Sequence, residues 1–372
     1  MRVGIPTEIK NNEFRVAITP AGVAELTRRG HEVIVQAGAG DGSAIADTDF
    51  KAAGAEIINT ADQVWAEADL LLKVKEPIEP EYARMRKGQT LFTYLHLAAS
   101  RPCTDALMSS GTTSIAYETV QTADNALPLL APMSEVAGRL SAQVGAYHLM
   151  RTQGARGVLM GGVPGVAAAE VVVIGGGTAG YNGARVANGM GANVTIFDLN
   201  INKLREIDAE FGGRIHTRYS STYDLEAAVR EADLVIGAVL VPGAKAPKLV
   251  SNALVAQMKP GSVLVDIAID QGGCFEDSRP TTHDDPTFRV HDSVFYCVAN
   301  MPGAVPRTST YALTNATMPY VLKLADLSWQ GACKADPALA QGLSTHEGGL
   351  LSAQVAADLA LPFTDPAALL AG

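Results

Sequence analysis

The chain has 372 residues and a net charge of −10, with 47% hydrophobic and 18% charged residues. That balance suits a globular protein with sizeable apolar cores. The acidic total, with no Lys/Arg cluster, argues against nucleic acid and against an anionic membrane surface as partners. Apolar runs are strand-sized, too short to cross a bilayer. Met1–Glu8 has no charged-then-apolar signal pattern and reads as a strand entering the fold, so a cytoplasmic location is expected.

In chain order, strands are predicted at 2–6, 32–36, 69–74, 90–95 and 112–116, with helical stretches such as Ala21–Arg29 and Asp47–Ala53 between them. Alternation with short turns implies a parallel sheet covered by helices on both faces. No glycine fingerprint occurs in this part, which therefore reads as a substrate domain. Ser134–Thr152 carries Val136, Leu140, Val144 and His148 at helical spacing and predicts a long connecting helix. Strands follow at 171–174, 194–198, 214–218, 234–239, 263–267 and 295–298, two sets of three, the count of a dinucleotide-binding fold. Beyond Pro302 and Pro306, from about Thr308, the tail reads as helical without a sheet of its own, returning to the first domain. The expected class is α/β, with two doubly wound parallel-sheet domains, one of them Rossmann, and the active-site cleft between them. Residues 1–130 and 307–372 form the discontinuous substrate domain and 131–306 the nucleotide domain.

The segment V171-V-V-I-G-G-G-T-A-G180 is a short apolar strand ending in Gly175, Gly177 and Gly180. A helix-like stretch to Met190 follows, then N193-V-T-I-F-D198. Gly175 permits the tight turn, Gly177 lets backbone approach a pyrophosphate, and Gly180 lets helix pack on strand. The phosphates would sit at the helix N-terminus, where free N–H groups and the dipole favour anions. Asp198, 18 residues after Gly180, can accept from a ribose 2′-OH and would repel a 2′-phosphate; no Arg follows it. The cofactor read from this is NAD. FAD uses the same first turn, but the central position of the motif favours NAD. The four cysteines are scattered, which suggests free thiols in a reducing compartment. The seven histidines form no metal-ligand spacing, so no metal is expected.

Ligands of open α/β sheets bind beyond the carboxyl ends of the strands. Four polar residues fall there: Arg15 after strand 2–6, Lys75 after 69–74, His96 closing T90-L-F-T-Y-L-H96, and Asp270 past V263-L-V-D-I267. Each also has a structural reading. Arg15 can pair with Glu8 or Glu13 on the surface, and Lys75 can be a solvated strand terminus. His96 can be a core histidine, and Asp270 a turn former.

M1-R-V-G-I-P-T-E-I-K-N-N-E-F-R-V-A-I-T-P20, K73-V-K-E-P77, Y94-L-H-L-A98, A131-P-M-S-E-V-A-G-R139 and V265-D-I-A-I-D-Q-G-G273 together resemble the L-alanine dehydrogenases and the NAD-binding subunit of proton-translocating transhydrogenases. The similarity runs from residue 1 to about 320. It implies exchange of L-alanine, NAD and water for pyruvate, ammonium and NADH, in a homo-hexamer. By resemblance, Arg15 and Lys75 bind the substrate, and His96 and Asp270 are the catalytic pair. Ser134, Thr178, Ala179, Asp198, Lys203, Ser220, Val239, Leu240, Ile267, Asp270, Val298, Asn300 and Met301 fall where the family contacts NAD. An NAD-binding component or redox sensor without amino-acid turnover is the alternative, and an enzyme with a different substrate, such as a larger amino acid or glyoxylate, is a third.

Overall fold

Valine, isoleucine and leucine recur in runs too short for helices and apolar enough to be buried on both faces. In a computed structural model, which describes residues 1–239 and 246–371, these runs are the strands of two sheets. The chain divides into Met1–Met133 with Val305–Gly372, and Ser134–Ala304. The first unit contains β1 (Arg2–Ile5), β2 (Glu32–Gln36), β3 (Glu56–Ile58), β4 (Leu70–Leu72), β5 (Thr90–Thr93) and β6 (Thr113–Ala116). The second contains β7 (Glu170–Ile174), β8 (Asn193–Asp198), β9 (Ile215–Tyr219), β10 (Leu234–Gly237), β11 (Val263–Asp266), β12 (Thr287–Val290) and β13 (Ser293–Tyr296). The chain then returns to the first unit with β14 (Leu343–His346) and β15 (Gly349–Leu350).

The first sheet has the order β15-β14-β6-β5-β4-β1-β2-β3. It is parallel from β6 to β3, and β14 joins β6 antiparallel. Leu71, Leu91, Ile34 and Trp65 anchor its buried cluster. The second sheet has the order β12-β13-β11-β10-β7-β8-β9. Without β12, that is the doubly wound order with its reversal beside β7. Val172, Ile174, Val235, Leu264 and Phe295 form its core.

The structure corrects several sequence expectations. Neither sheet is purely parallel, because β12 pairs antiparallel with β13, and β14 pairs antiparallel with both β6 and β15. The tail is not only helical: it supplies β14 and β15 to the first sheet. Leu343–His346 is mostly polar, which hides it from a hydrophobic pattern. Its Thr345 is nonetheless fully buried, because the hydroxyl is satisfied by Ser114 at 2.7 Å and by the Thr112 carbonyl at 3.0 Å. The connecting helix is Ala131–His148 and stops short of Thr152. Arg151–Gln153 forms a 3-10 turn closed by Gly154 at φ +88°.

Candidate active site

In the first unit, β1, β4 and β5 are adjacent and parallel, so the chain leaves all three at one sheet edge. Arg15 lies in the loop after β1, Lys75 just past β4 and His96 just past β5. The surface alternatives for Arg15 and Lys75 fail, since both side chains are buried.

Arg15 is held by Glu13. Its Nε and Nη2 donate to the two carboxylate oxygens at 2.6 and 2.5 Å, and its backbone N–H donates to the same group at 3.1 Å. A bidentate contact of this kind fixes the guanidinium plane. Burial works against the charge, but the hydrogen bond and charge of Glu13 outweigh it and raise the Arg15 pKa. A cavity of about 350 Å³ opens beside this pair, lined also by Thr7, Glu8, Lys10 and Phe14.

The turn carrying Lys75 is held by a second acid. Glu8 accepts from the N–H groups of Val74 at 2.6 Å and Lys75 at 3.4 Å, and from Lys73 Nζ at 3.0 Å. Lys73 Nζ also reaches Glu81 at 2.8 Å. Burial raises the Glu8 pKa, with Lys73 opposing. Lys73 is raised as well: burial lowers it, and the two carboxylates more than reverse that.

Lys75 Nζ lies 3.4 Å from His96 Nε2. The His96 ring stacks on Tyr94 at 5.9 Å and 12°. Tyr94 is itself fixed by donating to the Leu129 carbonyl at 2.5 Å. Its phenol pKa is pushed up by burial, with Arg15 opposing. His96 is half-buried and has φ +48° and ψ +39°, a left-handed conformation that costs an L-residue roughly 1–2 kcal/mol. Its backbone N–H donates to Glu118 at 2.6 Å. The structure therefore brings Lys75 and His96 into contact, with Tyr94 alongside and the Arg15–Glu13 pair in the same unit. Glu8, Glu13, Tyr94, Glu81 and Glu118 were not singled out as site residues from the sequence. Glu8, Glu13 and Tyr94 lie in segments already flagged, whereas Glu81 and Glu118 lie outside every one of them.

In the second unit, β7 ends in Gly175 at φ +101°, whose N–H donates to the Phe197 carbonyl at 2.8 Å. A Cβ on Gly180 would stand 1.8 Å from the Gly175 carbonyl oxygen, so helix Thr178–Gly189 lies against the strand end only because residue 180 is glycine. Gly177 is the extended N-cap, with no side-chain hydrogen bond to the helix, and a Cβ there would meet nothing within 4 Å. A side chain at 177 would thus enter open space at the N-terminal end of the helix, the end at which a phosphate would sit. Asp198 ends β8, and its carboxylate accepts from Gly176 N–H at 2.6 Å and Asn200 N–H at 2.7 Å. The residues present fit a dinucleotide.

The remaining expected contacts fall at neighbouring places in this unit. Ser220 follows β9 and donates its N–H to the Asp198 carbonyl at 3.0 Å. Lys203 sits in the first turn of helix Ile201–Phe211 and pairs with Glu206 at 2.7 Å. Ser134 precedes Gly138 by one turn, and a Cβ on Gly138 would stand 2.1 Å from the Ala179 carbonyl oxygen. Val239 follows β10, whereas Leu240 lies outside the described residues. Val298 and Met301 are buried beyond β13, with Asn300 between them at φ +60°. Ile267 and the exposed Asp270 belong to the 3-10 turn Ile267–Gln271 after β11. That turn hangs on buried Asp266, which accepts from Ala268 and Cys274 N–H at 3.0 and 2.9 Å and from the Ser278 hydroxyl. Burial raises the Asp266 pKa, against those donors. Among the described residues there is no group of three or more His, Cys, Asp or Glu that would hold a metal ion, and no helix is long and apolar enough to cross a membrane.

Two family models match: alanine dehydrogenase/PNT, N-terminal domain, over residues 4–137, and alanine dehydrogenase/PNT, C-terminal domain, over 141–353. The chain belongs to the alanine dehydrogenase/PNT family. As a member of the alanine dehydrogenase/PNT family it is an NAD-dependent oxidoreductase. It is 83% identical over 371 residues to the alanine dehydrogenase of Mycolicibacterium smegmatis, with 100% of each chain covered. A solved L-alanine dehydrogenase superposes with a TM-score of 0.94 at 50% identity, covering 97% of this chain and 99% of that one. A transhydrogenase from Sinorhizobium meliloti has a TM-score of 0.80 at 27% identity, over 95% of this chain and 99% of that one.

Proposed function

We propose that the chain interconverts L-alanine and pyruvate, with release or uptake of ammonium, using NAD. Arg15 and Lys75 bind the substrate, and His96 and Asp270 perform the acid–base work. The reading divides the labour between residues 1–130 with 307–372 for substrate and 131–306 for nucleotide. It also has the enzyme act in the cytoplasm as a homo-hexamer, with neither nucleic acid nor membrane as partner. The observation that carries it is the 3.4 Å contact of Lys75 with His96, at the edge where the Arg15–Glu13 pair also lies.

The nicotinamide of bound NAD supplies the acceptor for the hydrogen and electron pair that leave the substrate Cα. The substrate carboxylate needs a planar cationic fork; Glu13 holds the Nε/Nη2 edge of Arg15 and so fixes its plane, and the Nη1/Nη2 edge is the one that would meet the substrate. Loss of hydride from Cα leaves an iminium. Water adds to its carbon and gives up a proton, the nitrogen takes a proton, and ammonia leaves as the remaining hydroxyl gives up its own proton and the carbonyl forms; the ammonia carries that proton away as ammonium. These transfers suit a histidine near neutral pH. A charged Lys75 only donates, so in its contact with His96 the Nε2 atom accepts and the ring proton resides on Nδ1. Lys75 is then placed to donate to the developing carbonyl oxygen. Asp270 takes the second acid–base position from the nucleotide-binding unit.

The test is absorbance of NADH with purified protein, NAD and L-alanine, with D-alanine and NADP as controls. A rise only with L-alanine and NAD is expected. His96→Ala and Asp270→Asn lower turnover sharply while NADH binding persists. Near-normal turnover in either variant removes that residue from the mechanism. NADH binding without alanine-dependent turnover in the parent protein would move the reading to a nucleotide-binding module. Sedimentation checks the hexamer.

A further inference from the structure

A left-handed residue other than glycine persists only where its surroundings impose the conformation. At His96 the surroundings are one carboxylate. Glu118, in the turn after β6, stands beside the end of the neighbouring parallel strand β5. Its two oxygens lie 3.2 and 3.2 Å from Leu95 N, and one of them lies 2.6 Å from His96 N. Successive N–H groups thus converge on one anion at the residue whose backbone is strained. The ring is bounded further by Tyr94 stacked along it and by Lys75 at Nε2. Those contacts limit the ring only if the backbone beneath it stays where Glu118 holds it.

We infer that Glu118 is a positioning residue for the reaction: by accepting both N–H groups it locks the left-handed turn at His96 and so aims the imidazole. This rests on the acid–base role proposed for His96. Glu118 acts through the backbone, not on substrate. The role needs a group that only accepts. Glutamine at 118 would keep one oxygen near both N–H groups but set its own NH₂ in place of the oxygen 3.2 Å from Leu95 N, donor against donor.

The experiment compares Glu118→Gln, Glu118→Asp and His96→Asn with the parent, as full-length protein. It reads kcat and KM for L-alanine, the NADH dissociation constant, the thermal midpoint, and the solvent deuterium isotope effect on kcat. A misplacement of about an ångström costs on the order of 10²-fold in rate. For Glu118→Gln the expected result is a fall in kcat of about 10- to 100-fold. The NADH dissociation constant and thermal midpoint stay at the parent values, and the isotope effect grows because proton transfer is the step slowed. Glu118→Asp keeps the acceptor on a shorter arm, falls less, and decides the matter if the glutamine variant does not fold. Parent-like kcat in both variants overturns the proposal. So does a loss in which kcat, NADH affinity and thermal midpoint fall together, or failure of both variants to fold, since each assigns Glu118 to folding alone. His96→Asn separates the two ideas. Full turnover there removes the role of His96 itself, whereas a dead His96→Asn beside a normal Glu118→Gln removes only the positioning role.

Discussion

The glycine turn after β7 offers two substitutions of the same size with different expected fates. Gly180→Ala puts a methyl 1.8 Å from the Gly175 carbonyl oxygen, where ordinary contact begins near 3.4 Å, and 3.2 Å from Ala238 Cβ. The obstacle is backbone, so no rotamer change relieves it, and the helix start must move away from the strand. Overpacking of this kind costs about 1–3 kcal/mol, and the displaced N–H groups no longer meet the phosphates. Gly177→Ala adds a methyl that meets nothing, at φ −67°, which any residue adopts. It leaves stability within about 0.5 kcal/mol of the parent but fills the space in front of the helix. Losing one hydrogen bond to a charged phosphate costs about 1.5–3 kcal/mol, or roughly 10- to 150-fold in affinity. Titration of NADH fluorescence and thermal unfolding, run on both variants, read the two effects separately. Gly180→Ala loses stability and binding, and Gly177→Ala loses binding alone. Parent-like NADH affinity in Gly177→Ala would refute the seat assigned to the pyrophosphate, and parent-like stability in Gly180→Ala would refute the packing argument.

Asp198→Ala weakens NAD and narrows its preference over NADP. Because Asp198 also holds Gly176 and Asn200, the ratio of the two affinities, and not either alone, is the measurement, and an unchanged ratio rules out the ribose contact. Arg15→Lys keeps the charge but loses the fork, raising KM for L-alanine about tenfold or more (at least ~1.4 kcal/mol); an unchanged KM in steady-state kinetics removes Arg15 from carboxylate binding. Glu76 is held below its usual 4.5: burial raises it, but Lys10 and Lys75 outweigh burial. Its contribution to stability is therefore present above pH 4.5 and is lost as pH falls through the lower folded value. In urea unfolding, the parent is more stable than Glu76→Gln at neutral pH, and the gap closes on acidification; a gap independent of pH would contradict that sign.

The nucleotide-binding unit was legible because its function is written in local backbone chemistry. Three glycines and one acid at fixed spacing follow from a turn, a close approach and a helix packed on a strand. The substrate side was legible only in part. Arg15, Lys75 and His96 stand at strand ends, and strand ends follow from hydrophobic periodicity. Glu8 and Glu118 act across strands that neighbour in the sheet, and which strand lies beside which is a matter of topology that no local pattern encodes; Glu13 stands two residues from Arg15, near enough in sequence to be read as one of its candidate partners. The same limit hid β14, whose buried threonine is satisfied by the Ser114 hydroxyl on β6 and the Thr112 carbonyl, and β12, a short edge strand. The left-handed backbone at His96 had no herald either, since only a few per cent of non-glycine residues adopt it and no local pattern marks which.

The antiparallel partner of β6 comes from residues 343–346, more than two hundred positions downstream. During synthesis, β1–β6 leave the ribosome well before the strand that completes their sheet, while all of 134–304 can fold in the interval. Until β14 arrives, β6 presents an open row of backbone donors and acceptors, the kind of edge that recruits the wrong chain. A nascent-chain complex stalled near residue 335 would hold a finished nucleotide fold and an unfinished substrate fold on one polypeptide. The exposure to mispairing therefore belongs to the first-made part of the chain, and the last-made hairpin is the step that ends it.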